Sequence, residues 1–245
     1  MVLVLFDESA FLRVGQPLDQ LTYRPVSQYG CEHMSSEPVY AQSTAERRAR
    51  AREQRRSEII DAAMEVWAIK GSRGTGITEV AQRAGMTHAG LLHHFGNKNN
   101  LRLAVMQERD RRDRSVMEKW YLLDDIGIVW EHFPDVACAN ERQIGLAQLF
   151  VSLLGENVAP GSIGYNFFQE RYATGVQRIA GVLSSAKSKN RIDESVRCDR
   201  IAADIYAFMD GALIQWLLDP QEGLLVERYT SYFAGLADDI GLRPA

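Results

Sequence analysis

Residues 76–98 read Gly76-Ile-Thr-Glu-Val-Ala-Gln-Arg-Ala-Gly85-Met-Thr87-His-Ala-Gly-Leu-Leu-His-His-Phe95-Gly-Asn-Lys98. Ile77, Val80, Ala81 and Ala84 recur at helical spacing and give a first short helix an apolar face. Gly85 follows where a helix ends and the backbone turns left-handed. Thr87 stands at the N-cap of a second short helix, whose inner stripe is Ala89, Leu92 and Phe95. Helices this short are marginal alone in water, so the angle they hold matters more than the core they bury. The pattern is a helix-turn-helix, and its second helix suits the major groove of DNA, N-terminal end first.

The charge distribution agrees. The 245-residue chain has a net charge of −4, but Thr44 to Arg114 carries 15 Lys and Arg against 9 Asp and Glu, and the remainder 13 against 23. A basic head on an acidic body suits nucleic-acid binding joined to a sensing or oligomerising domain. The arginines at 47, 48, 50, 52, 55 and 56 lead into Ile59, Ala62, Ala63, Val66 and Trp67, an amphipathic helix expected to stop near Lys70-Gly71. Arg55 and Arg56 are read as part of an arm toward phosphate or the minor groove.

No segment of Val, Ile and Thr alternates at strand length, so the fold class is all-α, with no sheet. Three domains are expected. Residues 1–43 hold Pro17, Pro25 and Pro38 without a sustained period and read as a disordered or irregular extension. Met34-Ser-Ser-Glu makes an ordinary protein start, and translation from Met34 is one reading of residues 1–33. Residues 44–103 are the helix-turn-helix domain, and 104–245 a helical body for ligand binding and dimerisation. Lys98 opens a long helix joining the two. In the body, Pro134 and Pro160 are expected to bracket a helix, followed by helices over about 164–187, 193–219 and 223–240.

The helix expected over 193–219 carries two neighbouring apolar stripes, too wide for one buried face. The last carries a 3-4-3-4 seam. From these, Ile205, Met209, Leu213, Trp216, Tyr229, Phe233 and Leu236 are expected at a subunit interface. A ligand pocket between bundle helices would draw on Trp120, Trp130, Phe150, Phe168, Tyr172 and Phe208.

The stretch from Arg56 to Leu103 resembles the DNA-binding domain of the TetR family of one-component bacterial transcriptional regulators. The matching elements are Ile59-Ile60-Asp61-Ala62-Ala63 with Gly71, Val80-Ala81 with Ala84-Gly85-Met86-Thr87, and Gly90-Leu91-Leu92-His93-His94-Phe95 closed by Lys98 and Leu101. Met209-Asp210-Gly211 with Gln215 to Pro220 looks like the penultimate helix of many members. The resemblance implies a homodimer on a palindromic operator, commonly a repressor, with DNA affinity set by a small-molecule effector in the body. Two departures stand out. Leu92 replaces a tyrosine that commonly touches phosphate, and Gly76 replaces a capping threonine, for which Thr75 or Thr78 would supply the hydroxyl.

The expected DNA contacts are Thr87 through its hydroxyl and the free N–H groups of its helix, His88 and Ala89 toward base edges, and His93, His94 and Lys98 toward the backbone. Arg55, Arg56, Thr75 and Thr78 complete the set. His93 and His94 project about 100° apart and suit no shared metal ion. No metal, no cofactor and no enzymatic activity is expected, since phosphate loops, nucleophile elbows and metal-ligand spacings are lacking. Cys31, Cys138 and Cys198 fit a reducing compartment, and no apolar run reaches the roughly 20 residues that span a bilayer, so a cytoplasmic protein without a membrane partner is expected. The alternative reading is an all-helical ligand-binding or interaction module that has lost specific DNA binding.

Overall fold

The structure is a computed structural model and describes residues 43–243. The expected extension, the Met34 start and Cys31 lie outside them. The described residues form helices α1 (Thr44–Gly74), α2 (Ile77–Arg83), α3 (His88–Phe95), α4 (Lys98–Tyr121), α5 (Ile126–Arg142), α6 (Ile144–Glu156), α7 (Tyr165–Ser188), α8 (Cys198–Leu218) and α9 (Leu224–Asp239), with no strand among them.

Helix α1 buries Ile59, Ala62, Ala63 and Trp67 at spacings of three and four. Where the stop was expected, Gly71 takes φ 68° and ψ 159°, breaking the helix before a last turn to Gly74. That break lies against α6. A Cβ on Gly145 would overlap the Trp67 carbonyl oxygen and stand 2.7 Å from the Gly71 nitrogen, so the two backbones touch only because residue 145 is glycine. Helix α2 then packs on α1, and α3 on α2 and α4, with Val80, Ala81, Leu91 and Phe95 all buried.

The body is built from α5 on α9, α7 on α8, and α4 and α6 between them and the head. Pro134 was expected to bound a helix; instead α5 runs through it. The ring removes one backbone bond, a cost of about 3 kcal/mol. Burial of Trp130 and Phe133 on Phe233 offsets it, at roughly 1.5–3 kcal/mol per large apolar side chain. Phe133 stacks parallel on Phe233 at 4.3 Å. Helix α8 starts at Cys198 rather than near Asp193. The preceding loop is pinned to the chain's C-terminal end by Asp193 N donating to Ile240 O and Arg243 N to Arg191 O, and Ile192 is buried.

The expected subunit contacts are corrected. Ile205, Leu213, Trp216, Tyr229, Phe233 and Leu236 are buried in the protomer's own core, and Met209 is half-buried on a cavity wall. Packing of α5 and α7 against α8 and α9 consumes both stripes. The outward face of α8 instead carries Ala203, Ala207, Ile214 and Leu218, the last 83% exposed. By length and composition alone α8 is apolar enough to cross a membrane, as core helices can be, and here Ala202, Ile205, Ala212, Leu213 and Trp216 are buried within the protomer.

Candidate functional site

The head presents α3 outward. Thr87, His88, Ala89 and His93 are exposed, Gly90, Leu92 and His94 half-buried, and Leu91 and Phe95 hold the helix to the core, so Leu91 takes the inner place expected of Ala89 and Leu92. Gly85 takes φ 62° between α2 and α3. The N-cap forms, with Gly90 N donating to Thr87 Oγ1 at 3.1 Å. The remaining free N–H groups of the first turn face outward with it, a site for an anionic oxygen. His88 Nδ1 lies 3.1 Å from Thr78 Oγ1, so α2 orients the side chain closest to the tip. At the other end Gly96 (φ 76°) closes α3, and Asn97 caps α4 by accepting from Asn100 N.

The basic residues divide into braces and free charges. The Arg56 guanidinium lies 4.3 Å from the Phe95 ring centroid and donates to His94 O, at the C-terminal end of α3. Arg55 donates to Glu58 and to Gly85 O, clamping α1 to the turn. Both are half-buried. Arg47, Arg48, Arg50 and Arg52 extend beyond them along an exposed face of α1. Lys98 Nζ donates to Thr75 O at 2.7 Å, and burial together with Arg102 holds its pKa below the usual lysine value. Burial, then the charges of His93, Arg52, Arg55 and Arg56, hold the pKa of His94 below the usual histidine value.

Two expectations fail here. Thr75 is only 1% exposed, so its side chain cannot reach DNA in this arrangement, and it does not cap α2. Neither does Thr78, whose hydroxyl meets His88 instead; the α2 N-cap is Gly76, with no side-chain bond. Thr75 and Lys98 instead form a joint between the approach to α2 and the start of α4.

In the body, a cavity of about 350 Å³ opens among α4 to α9. Its longest wall is α4 from Met106 to Tyr121. Trp120 and Phe150 line it. Trp130, Phe168 and Phe208 do not, because other aromatic partners claim them: Trp130 packs on Phe233, Phe168 on Phe150 and Phe167, and Phe208 stacks on Tyr232 at 3.7 Å. Tyr172 stands behind the wall and donates to Asp210 Oδ2 at 2.5 Å.

The cavity also holds charges that the sequence reading missed. Arg109 donates to Asn140 Oδ1 at 2.7 Å and stands 3.7 Å from Asp113. Asp110 takes Arg114 at 3.0 Å and also Arg171, and Arg178 pairs with Glu118 at 3.0 Å. The signal was present in α4: Met106, Arg109, Asp110, Asp113, Met117 and Trp120 recur at three and four, a helix face mixing apolar and charged residues.

The same helix is tied to the head. Arg112 pairs with Asp61 of α1, and Arg102 is bidentate to Glu156 of α6 at 2.9 and 3.0 Å. Arg73, at the end of α1, donates to Ser152 beside that carboxylate.

An exposed, capped helix-turn-helix joined through one long helix to a cavity-bearing bundle defines the class: a DNA-binding head on a helical body. Residues 59–105, the core of the head, match the family model described as bacterial regulatory proteins, tetR family. An HTH-type transcriptional activator FasR from Mycolicibacterium smegmatis is 41% identical over 56 residues, 23% of this chain. The chain spans about a quarter, 26%, of that relative's length. A TetR transcription regulator from Haloarcula marismortui matches with a TM-score of 0.67 at 14% identity, over 78% of this chain and 100% of its own. The regulator FadR from Bacillus subtilis, in complex with stearoyl-CoA, matches at 0.59 and 19% identity, over 76% and 99%. At these identities the structural likeness is one of fold, and the fold is all-α with an N-terminal helix-turn-helix.

Proposed function

We propose that the chain is a one-component transcriptional regulator. It binds a palindromic operator as a homodimer, and a small molecule in the body cavity sets its DNA affinity. One observation carries this reading: α4 begins at the joint with the DNA-binding head, where Lys98 holds Thr75, and further along forms the longest wall of the cavity. A ligand that favours one position of α4 over another shifts the heads; one that binds both equally shifts nothing. The structural likeness to FadR, which binds stearoyl-CoA, supports a ligand in the body. Repression is the reading adopted for the sign of control, although the mycolicibacterial relative is an activator. The place of action is the cytoplasm. The exposed face of α3 favours this reading over a module that has lost DNA binding.

Retention of DNA from upstream of its own gene in a gel shift tests the proposal; no sequence-specific retention refutes it. Affinity should fall steeply with salt, about 10³-fold or more between 50 and 200 mM if six or more phosphates are met. A reporter under that promoter should rise when the gene is deleted. Lys98→Ala should weaken binding across all sequences, whereas His88→Ala should change sequence preference. Unchanged footprints and affinities in both variants would place the groove contacts elsewhere.

The homodimer reading rests on the outward face of α8, where small residues let a second helix approach and Ile214 and Leu218 supply apolar area. Ala207 is exposed on it, so Ala207→Arg should leave the protomer folded and shift sedimentation toward the monomer. A variant that sediments unchanged would place the dimer contact on another face.

A further inference from the structure

The charges in the cavity are not equally compensated. Each of its four arginines is within 4 Å of a carboxylate: Arg109 of Asp113, Arg114 and Arg171 of Asp110, Arg178 of Glu118. Asp135 has His132 at 2.9 Å. Asp210 differs. Among the described residues no lysine, arginine or histidine lies within ion-pair distance of it, and its one hydrogen bond comes from the neutral Tyr172 hydroxyl. Burial pushes the Asp210 carboxyl above the usual range, with Tyr172 and the more distant Arg171 acting against it. A half-buried carboxylate without a counter-ion is costly, and a cation entering the cavity lowers that cost.

The surroundings of Asp210 suit a particular kind of cation. Tyr206 and Tyr229 line the cavity on either side of it in sequence, on α8 and α9. The Tyr206 ring meets Tyr172 edge-on at 5.8 Å. It reaches its place only because residue 175 is glycine, since a Cβ there would overlap the Tyr206 hydroxyl. Trp120, Phe150 and Phe167 supply further ring area. Aromatic faces beside a carboxylate bind alkylated ammonium groups, which shed water more readily than a metal ion does. An anionic ligand, by contrast, would find every guanidinium already paired.

We propose that the cavity takes a lipophilic organic cation, an amine or quaternary ammonium on an apolar body, with its charged nitrogen at Asp210 beside the rings of Tyr206 and Tyr229. This rests on reading the cavity as the effector site. Titration calorimetry on the full chain tests it with three probes of one tail length, decyltrimethylammonium, decanoate and decanol, each below its micelle concentration. The cation should bind at least tenfold more tightly than the other two. Asp210→Asn keeps an acceptor for Tyr172 and should lower cation affinity about tenfold while leaving decanol unchanged. Tyr206→Leu is the second variant, should Asp210→Asn fail to fold, and should likewise weaken the cation alone. Tighter binding of decanoate, or cation binding indifferent to both variants, overturns the proposal but leaves the effector site standing. If none of the three probes binds, the effector reading fails with it.

Discussion

Ala89→Glu should abolish specific operator binding while leaving the thermal midpoint unchanged. Ala89 is exposed, one residue into α3, on the face that carries Thr87 and His88. Nothing in the protomer packs over it, so a longer side chain costs the fold little. Glutamate also suits the positive end of a helix, which adds slightly to stability in the free protein. In the groove the effect reverses. A carboxylate brought against phosphates and base edges meets like charge where water is largely excluded, a cost of several kcal/mol. At 1.4 kcal/mol per factor of ten, that is about 100-fold or more in affinity. Fluorescence anisotropy on labelled operator, beside a melting curve, reads both quantities. A variant that binds the operator as tightly as the parent would show that α3 is not the reading helix.

Gly145→Ala is the second large effect. The added carbon would overlap the Trp67 carbonyl oxygen and stand 2.7 Å from the Gly71 nitrogen and 3.0 Å from the Ala68 oxygen. All three are backbone atoms, so no side-chain rotation relieves the contact. Helix α6 must move away from the end of α1, and the tightest joint between head and body opens. Overpacking typically costs about 1–3 kcal/mol. For a domain of this size that is on the order of 5 °C in midpoint. The loss of operator affinity should exceed what that destabilisation explains, because the head's angle on the body changes with it. Ser152 and Glu156 sit further along α6 and hold Arg73 and Arg102, so a displaced α6 also disturbs those bonds. A midpoint within a degree of the parent would contradict the close approach.

The head was legible in the sequence because its signals are local. The Thr87 cap, the left-handed Gly85 and the break at Gly71 each depend on a few neighbouring residues. The same locality misled at two points. Pro134 reads as a boundary, yet α5 continues because Trp130 and Phe133 are buried against a residue a hundred positions away. Thr75 and Thr78 read as caps, yet one is buried under Lys98 and the other faces His88.

Helical periodicity shows that a face is apolar but not what covers it. The seven residues of α8 and α9 expected between subunits show this: six are buried within one protomer, and Leu213, Tyr229 and the half-buried Met209 line the cavity. The aromatic residues expected in a pocket divided for the same reason, Trp120 and Phe150 reaching the wall while Trp130, Phe168 and Phe208 found partners elsewhere. By itself the sequence determined the helix-turn-helix, its basic setting and the all-helical class, since backbone preference and side-chain period act over a few residues. Only the tertiary structure decided which apolar stripes are core, that Arg55 and Arg56 brace α3, and that Asp210 faces a cavity without a counter-ion. Those outcomes depend on atoms brought together from distant parts of the chain, and no local pattern encodes such distances.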